Sequence, residues 1–427
     1  MATVSNALQQ VKAHLHRVLS DQEIFDVCRR VGHRWRNRVL DPALTVQLFV
    51  LQLLAKVAMQ GLRHVANLSV TAQAICKAKQ RLPLQLLMEL VALSAPQGPV
   101  RTSWKDLAVY LADGMSFMTP DTPELTKRYG KAKNQRGTGF GYPTPKLLAL
   151  MDFGGVIHKV IALPWARQEF TCLSRLFGAV ARGALLLGDR GLVSFAHLAL
   201  LLRAGLHGCF RLPRGQVTFG RGKASRRKIK SLGKQDMLVR WTAYRRPAWL
   251  SKKRWQTLAN ELLTLRQISF RVYRKGFRVQ WAWIITTLLD PEKYPAQELI
   301  ELYSQRWQVE VYFRDLKRTL GIAMISARTA MGVRKEILAF VLLYNLVRRV
   351  MQQAAVAQGV SADRVSFIDA MRWLLWSSPG DPIPMLKLNA RRVRRAPPRR
   401  LKNARHRFPQ LNDTRAALTK PPYTVML

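Results

Sequence analysis

The stretch "LAVYLADG", Leu107 to Gly114, decides how this chain folds. Its apolar side chains run unbroken and stop at an acid, the pattern of a strand buried on both faces rather than of an amphipathic helix. Downstream, Lys146 to Pro164 reads as two strands around the hairpin signal Gly154-Gly155. A helix is expected over Arg167 to Arg182, and then a second apolar strand, Ala184 to Gly188, ends at Asp189. Strand, hairpin, helix and strand, with acids at two strand ends, predict an α/β class.

Upstream the pattern is helical. Ser20 with Glu23 forms a capping box, Gly32 is a stop, and Asp41-Pro42 opens a helix expected to reach Gly61. Leu62 to Leu68 followed by Thr71 to Leu82 resembles a helix-turn-helix, whose second helix offers Lys77, Lys79 and Arg81 to DNA; plain scaffold fits the same spacing. Beyond Leu206, strand-like pieces (Leu238 to Ala243, Ser269 to Tyr273, Arg278 to Thr287) alternate with basic stretches such as "RGKASRRKIK", Arg221 to Lys230, and imply a β-rich insertion. Helices are then expected over Pro295 to Leu320, Val333 to Ala355 and Ser361 to Trp376. Residues 391–407, "RRVRRAPPRRLKNARHR", make a cationic arm expected to order only on phosphate.

Composition narrows the partners. Seventy Lys and Arg against 25 Asp and Glu give a formal net charge of +45, which selects for polyanions such as DNA, RNA or an anionic membrane. The apolar segments Ala43 to Gly61 and Gly191 to Phe210 carry Gln47, Gln52, Lys56, His197, Arg203 and His207, so they fit half-buried helices and not lipid-facing spans. No apolar signal-peptide core is seen at the N-terminus. Cys28, Cys76, Cys172 and Cys209 are scattered without CxxC pairing, which argues against a disulfide framework or zinc site and for a reducing cytoplasm.

Against this excess of cations, three acids stand out by position: Asp113 and Asp189 at strand ends, and Glu310 in "YSQRWQVEVYFRDLK", Tyr303 to Lys317. On a continuous helix Tyr303, Arg306, Glu310 and Lys317 fall within an arc of about 60°, beside the apolar stripe Val309, Phe313, Leu316 and Leu320. A solvated helix with an ordinary Arg306–Glu310 pair has the same spacing. Asp113 also suits a turn before Gly114, and Asp189 a pair with Arg190. Together, however, three carboxylates supply the hard oxygen ligands that in-line cleavage of DNA needs for two divalent cations, with basic residues such as Arg190 nearby to hold phosphate. Asp121, in the turn-like "TPDTP", is a less rigidly held rival to Asp113.

"DGMSF" with "PDTPEL", Asp189 in "LLLGDRG" and the spacing Y-x2-R-x3-E-x6-K resemble the DDE transposases of bacterial insertion sequences that carry the YREK signature, over Leu107 to Ile325. Met115 and Leu125 stand where relatives place Thr or Ser, and Asn. The resemblance implies an α/β ribonuclease-H-like core (101–205 and 288–385, the latter with C-terminal helices) interrupted by a β-rich insertion (206–287), after an α-helical N-terminal DNA-binding domain (1–100) and before a basic tail (386–427). It implies Mg²⁺-dependent transposition, two ions held by Asp113, Asp189 and Glu310, with Mn²⁺ able to substitute. Tyr303, Arg306 and Lys317 are implied to grip phosphates of the cleaved end, and Trp283 to stack a flipped base, with Trp281 on the same strand face as the alternative; core packing of both indoles fits equally well. The implied partners are double-stranded DNA, as terminal inverted repeats and as target, and a second copy of the chain in a homodimer, acting in the cytoplasm at the nucleoid and not at a membrane. A catalytically silent DNA-binding relic and a same-fold nuclease without strand transfer are the alternatives.

Overall fold

A computed structural model describes residues 4–16, 19–36, 38–95, 103–133, 139–217, 226–272, 280–323, 325–378 and 380–389. Met1–Leu388 is one compact unit, and Asn389–Leu427 is a second, of which only residue 389 is described. The cationic arm 391–407 therefore lies outside the described residues, as does part of the basic stretch 221–230.

Among the described residues six helices open the chain: α1 (Val4–His16), α2 (Asp21–Arg30), α3 (Pro42–Ala55), α4 (Met59–Val65), α5 (Ala72–Arg81) and α6 (Leu84–Ser94). The expected capping box forms, with the Glu23 N–H donating to Ser20 Oγ and the Ser20 N–H to Glu23 Oε2 at 2.7 Å. The helix expected to reach Gly61 stops at Ala55 instead. Lys56 turns left-handed (φ 52°), its N–H and that of Val57 both return to the Gln52 carbonyl, and α4 leaves at 105° to α3. Among the described residues no single helix is long and apolar enough to cross a membrane.

The strands are β1 (Ser103–Trp104), β2 (Leu107–Ser116), β3 (Lys131–Lys133), β4 (Gly139–Pro143), β5 (Lys146–Asp152), β6 (Ile157–Leu163), β7 (Leu185–Gly188), β8 (His207–Arg211), β9 (Arg226–Gly233), β10 (Asp236–Thr242), β11 (Leu262–Val272) and β12 (Gln280–Thr286). Ten of them form one sheet in the order β6-β5-β2-β7-β8-β12-β11-β10-β9, with β1 beside β2. β2, β7 and β8 are mutually parallel neighbours, and the other pairings are antiparallel. This is the α/β, ribonuclease-H-like arrangement expected from the sequence, and the β-rich segment continues its sheet through β12.

Burial on both faces explains the unbroken apolar runs. Along β2, Val109 and Leu111 enter one core and Tyr110 and Ala112 the other; on β7 Leu185 and Leu187 oppose Leu186 in the same way. The remaining helices, α7 (Pro123–Tyr129), α8 (Phe195–Arg203), α9 (Lys252–Gln256), α10 (Ala296–Ser304), α11 (Gln308–Arg314), α12 (Ala330–Ala357) and α13 (Phe367–Trp376), complete the layers. α12 is the central one. Its buried Asn345 bridges the backbone of Ile157 on β6, accepting from the N–H and donating to the carbonyl at 2.9 Å each, and donates to Ser94 on α6 at 2.8 Å.

Three expected helices differ. Arg167 to Arg182 is a pair of 3₁₀ turns, Glu169–Arg175 and Phe177–Ala179, because Phe170, Thr171, Cys172, Ser174 and Gly178 are poor helix formers. Pro295 to Leu320 is broken into α10, a 3₁₀ turn Gln305–Trp307, α11 and a π turn Asp315–Leu320. The continuous-helix arc of Tyr303, Arg306, Glu310 and Lys317 thus does not hold as drawn. Ser361 to Trp376 begins as a 3₁₀ turn, Ala362–Arg364, before α13.

Lys79 shows how the helical region is fastened. It is 7% exposed, donates to Gln52 Oε1, and its ammonium lies 4.3 Å from the Phe49 ring centroid. Burial depresses its pKa to about 7, against the attraction of Glu336. The folded chain therefore holds this proton less tightly than the unfolded chain, and its penalty on stability is present below about pH 7 and fades as pH rises toward the ordinary lysine value. Lys79→Met is expected to raise the melting temperature relative to the parent most near pH 6 and least near pH 10, measured by scanning calorimetry across that range.

Candidate active site

The sheet register assembles the site. Ala112 on β2 pairs with Gly188 on the parallel neighbour β7, so Asp113 and Asp189 are the next residues on strands about 4.8 Å apart. Asp113 Oδ1 accepts from the Gly114 N–H at 2.7 Å and Oδ2 from Arg306 Nη1 at 3.4 Å. Asp189 Oδ1 accepts from the Gly191 N–H at 2.7 Å, which closes the turn leaving β7. Burial raises the Asp113 carboxyl to about 6; the Gly114 N–H and Arg306 oppose that rise, and the charges of Asp189 and Glu310 add to it.

Glu310 reaches the site from α11. It is exposed and lines, with Asp113, Lys317 and Arg318, a groove of about 670 Å³. Lys317, in the π turn after α11, lines the same groove, and burial lowers its pKa. Tyr303 is placed differently from expectation. It is 7% exposed and donates to the Gly188 carbonyl at 3.2 Å, tying α10 to the residue before Asp189, while the Arg306 guanidinium lies 5.9 Å from its ring. Asp121, the rival acid, is exposed, bonded to Lys131 at 2.6 Å and to Thr126 at 2.9 Å. It does not line the groove.

The donor set is hard oxygen, which suits Mg²⁺ or Mn²⁺, and a cation would offset the burial that chiefly raises Asp113 as well as the smaller repulsion from Asp189 and Glu310. As oriented, no group of three such ligands closes on one point among the described residues. Arg306 and the Gly114 N–H hold the Asp113 oxygens, and the exposed Glu310 carboxylate is the side chain with room to turn inward. The residues fit the ion by chemistry and strand position, with side-chain rotation required.

Among the described residues two further grooves are basic. Arg190, exposed, lines one of about 950 Å³ with Arg211, Arg214, Lys234, Arg271, Trp281 and Trp283. Here the tryptophan assignment is corrected. Trp283 is 8% exposed and belongs to the apolar core, whereas Trp281 is 42% exposed and carries the Arg271 guanidinium 4.9 Å from its ring centroid. Both residues pair with β11, but Trp283 is the one next to β8, its carbonyl accepting from the Leu212 N–H at 2.8 Å, whereas Trp281 lies farther along β12 opposite Arg271. The other groove, about 920 Å³, is lined by exposed Lys77 and Arg81 together with Arg34, Trp35, Arg36 and Arg38. Lys79 is corrected too, since it points into the helix packing and not to this groove. Sequence reasoning missed the "HRWR" run at residues 33–36, whose basic-aromatic alternation was the available signal. It also missed Lys146, Trp165 and Glu169, which line the groove of Asp113 and Glu310.

The family described as "Transposase DDE domain" matches residues 104–346, a span that begins before β2 and ends within α12. The transposase InsG for insertion sequence element IS4 of Escherichia coli (strain K12) is 27% identical over 325 residues, 73% of this chain and 70% of that protein. The putative transposase InsZ of the same organism is 27% identical over 143 residues, 32% of this chain and 47% of that protein.

Proposed function

This chain belongs to the transposase DDE domain family, and from that premise we propose that it binds the terminal inverted repeats of an insertion sequence, cuts the DNA and joins the freed 3′ ends to target DNA. One observation carries the reading: the β2–β7 register sets Asp113 beside Asp189, and Glu310 faces Asp113 across a basic groove. Asp113, Asp189 and Glu310 would hold two Mg²⁺ ions, or Mn²⁺ in their place, which when bound activate the attacking oxygen and stabilise the leaving one. The chain's own groups do the rest. Arg306, a planar fork already beside Asp113, and Lys317, a point charge on the groove wall, hold the non-bridging oxygens of the cut phosphate. Tyr303 keeps Asp189 in place through Gly188 rather than touching DNA.

Trp281 is the indole available to a flipped base, with Arg190 and Arg271 beside it for phosphates. The N-terminal helices 1–100 act as the DNA-binding domain through Lys77 and Arg81. Two copies act as a homodimer on paired element ends, in the cytoplasm at the nucleoid. The test incubates the full chain with a labelled duplex bearing its element's terminal repeat and Mg²⁺ or Mn²⁺, then with target plasmid. Nicked DNA and covalently joined label are expected; absence of both sinks the proposal, and nicking without joining reduces it to a nuclease.

The charge predicts strong salt dependence. Each phosphate neutralised contributes about −0.9 to the slope of log K against log salt. Titrations of any duplex from low to physiological salt are expected to give a steep negative slope, and a flat line contradicts the assigned grooves.

A further inference from the structure

The wall of the active-site groove facing α11 is built from residues that no part of the metal scheme uses. Lys146 begins β5 and pairs with Ser116, three residues past Asp113 on β2, which is about 10 Å along the strand. Its ammonium lies 5.0 Å from the Trp165 ring centroid, donates to the Arg167 carbonyl at 3.4 Å and stands 3.8 Å from Glu169 Oε2. Trp165 is half-buried with its indole on the groove, and its backbone is fixed by the Trp165 N–H donating to the Tyr129 carbonyl at 2.7 Å. Glu169 is seated by Gly114: a Cβ there would lie 2.8 Å from Glu169 Cγ and 3.2 Å from its Oε1. Removing that side chain from position 114 is what lets an acid lie against the groove floor.

A half-exposed indole with a cation on it, set beside a phosphate-cutting centre, is the combination by which proteins hold unpaired bases. A duplex offers no free base face; a cut or frayed end does. We propose that Trp165 and Lys146 form a subsite for the single-stranded nucleotide next to the cut phosphate, Trp165 stacking on its base and Lys146 contacting its phosphate, with Glu169 as the positioning residue that holds Lys146. This rests on the cleavage role proposed for the groove, and it names a strand-holding wall distinct from the groove of Trp281.

The test uses the full chain in chelator, so that no turnover intervenes, with a blunt duplex and the same duplex carrying a bromouracil-containing single-stranded overhang. Photocrosslinking of the parent protein is expected to map to Trp165; a crosslink confined to Trp281, or none, overturns the subsite without relying on any variant. Trp165→Ala is expected to bind the overhang about 5- to 100-fold more weakly and the blunt duplex within about twofold of the parent, and Trp165→Phe to recover most of the loss. Lys146→Gln is expected to reduce the salt slope for the overhang by about 0.7. Equal overhang affinity in the parent and Trp165→Ala sinks the proposal. Failure of the parent to cut DNA with Mg²⁺ sinks the cleavage reading instead, so the two failures are told apart.

Discussion

Asp113→Asn is expected to lower strand cleavage by about 10³-fold or more while DNA binding stays equal to the parent or tightens. The substitution keeps the shape and the acceptor for the Gly114 N–H. It removes the charge that a divalent ion requires, and metal stabilisation of a phosphoryl transition state is worth several kcal/mol, hence the factor. Binding is expected to be spared because the proposal places affinity in the Lys and Arg grooves, and deleting a negative charge beside the proposed phosphate site removes repulsion. Asp121→Asn is the matched control. That acid is exposed and bonded to Lys131 and Thr126, away from the groove lining, so cleavage within a few-fold of the parent is expected. A nicking assay on a labelled terminal duplex, run beside anisotropy titrations, reads both quantities. Cleavage by Asp113→Asn within about tenfold of the parent would falsify its role.

That Asp189 follows directly on a strand was readable because a parallel strand buried on both faces needs an unbroken apolar run; the run Leu107 to Ala112 marked β2 for the same reason, but β2 continues past Asp113 to Ser116, paired with β5, so Asp113 lies within the strand and not at its end. The hairpin around Gly155 was readable for a similar local reason, as its φ of +83° calls for glycine. What stayed hidden depended on distant packing. The 3₁₀ and π turns flanking α11 leave the 3.6-residue apolar spacing almost intact, so the sequence of Tyr303 to Lys317 reads as one helix although its backbone changes pitch twice. Lys79 looks like its neighbours Lys77 and Arg81 until Phe49 and Gln52 of α3 are packed over it. Trp281 and Trp283 share a strand face, and which ring is buried depends on a distant segment, the chain leaving β8, whose Leu212 N–H donates to the Trp283 carbonyl. Glu169 lies in a segment with the look of a plain helix and Trp165 just before it, and their approach to Gly114 and Lys146, which stand on different strands, comes from tertiary packing.

Arg348→Ala is expected to destabilise the protein by about 3 kcal/mol and to slow cleavage by about 10²-fold, although Arg348 lines none of the three grooves. Arg348 lies on α12, 1% exposed, and donates through Nη2 to the Gly154 carbonyl and to Asp363 Oδ1. Its guanidinium lies 4.8 Å from the ring of Tyr312, whose hydroxyl is bonded to Asp363 and, at 3.2 Å, to the Phe153 carbonyl. Breaking a buried ion pair by removing one partner costs about 3–5 kcal/mol; the lower end applies because the Asp363 side chain is 36% exposed and regains water. Tyr312 stands on α11 two residues after Glu310, so the Arg348–Tyr312–Asp363 cluster clamps the helix that presents the third acid against the hairpin of β5 and β6. Gly155 shows how tightly: a Cβ there would lie 2.9 Å from both Arg348 Nη2 and the Tyr312 ring. A displacement of about 1 Å at a reacting group costs about 10²-fold, which sets the expected rate loss once the clamp is gone. Calorimetry and single-turnover cleavage at saturating DNA separate the two effects. A lower melting temperature with an unchanged cleavage rate in the folded protein would show that α11 holds Glu310 without help from α12.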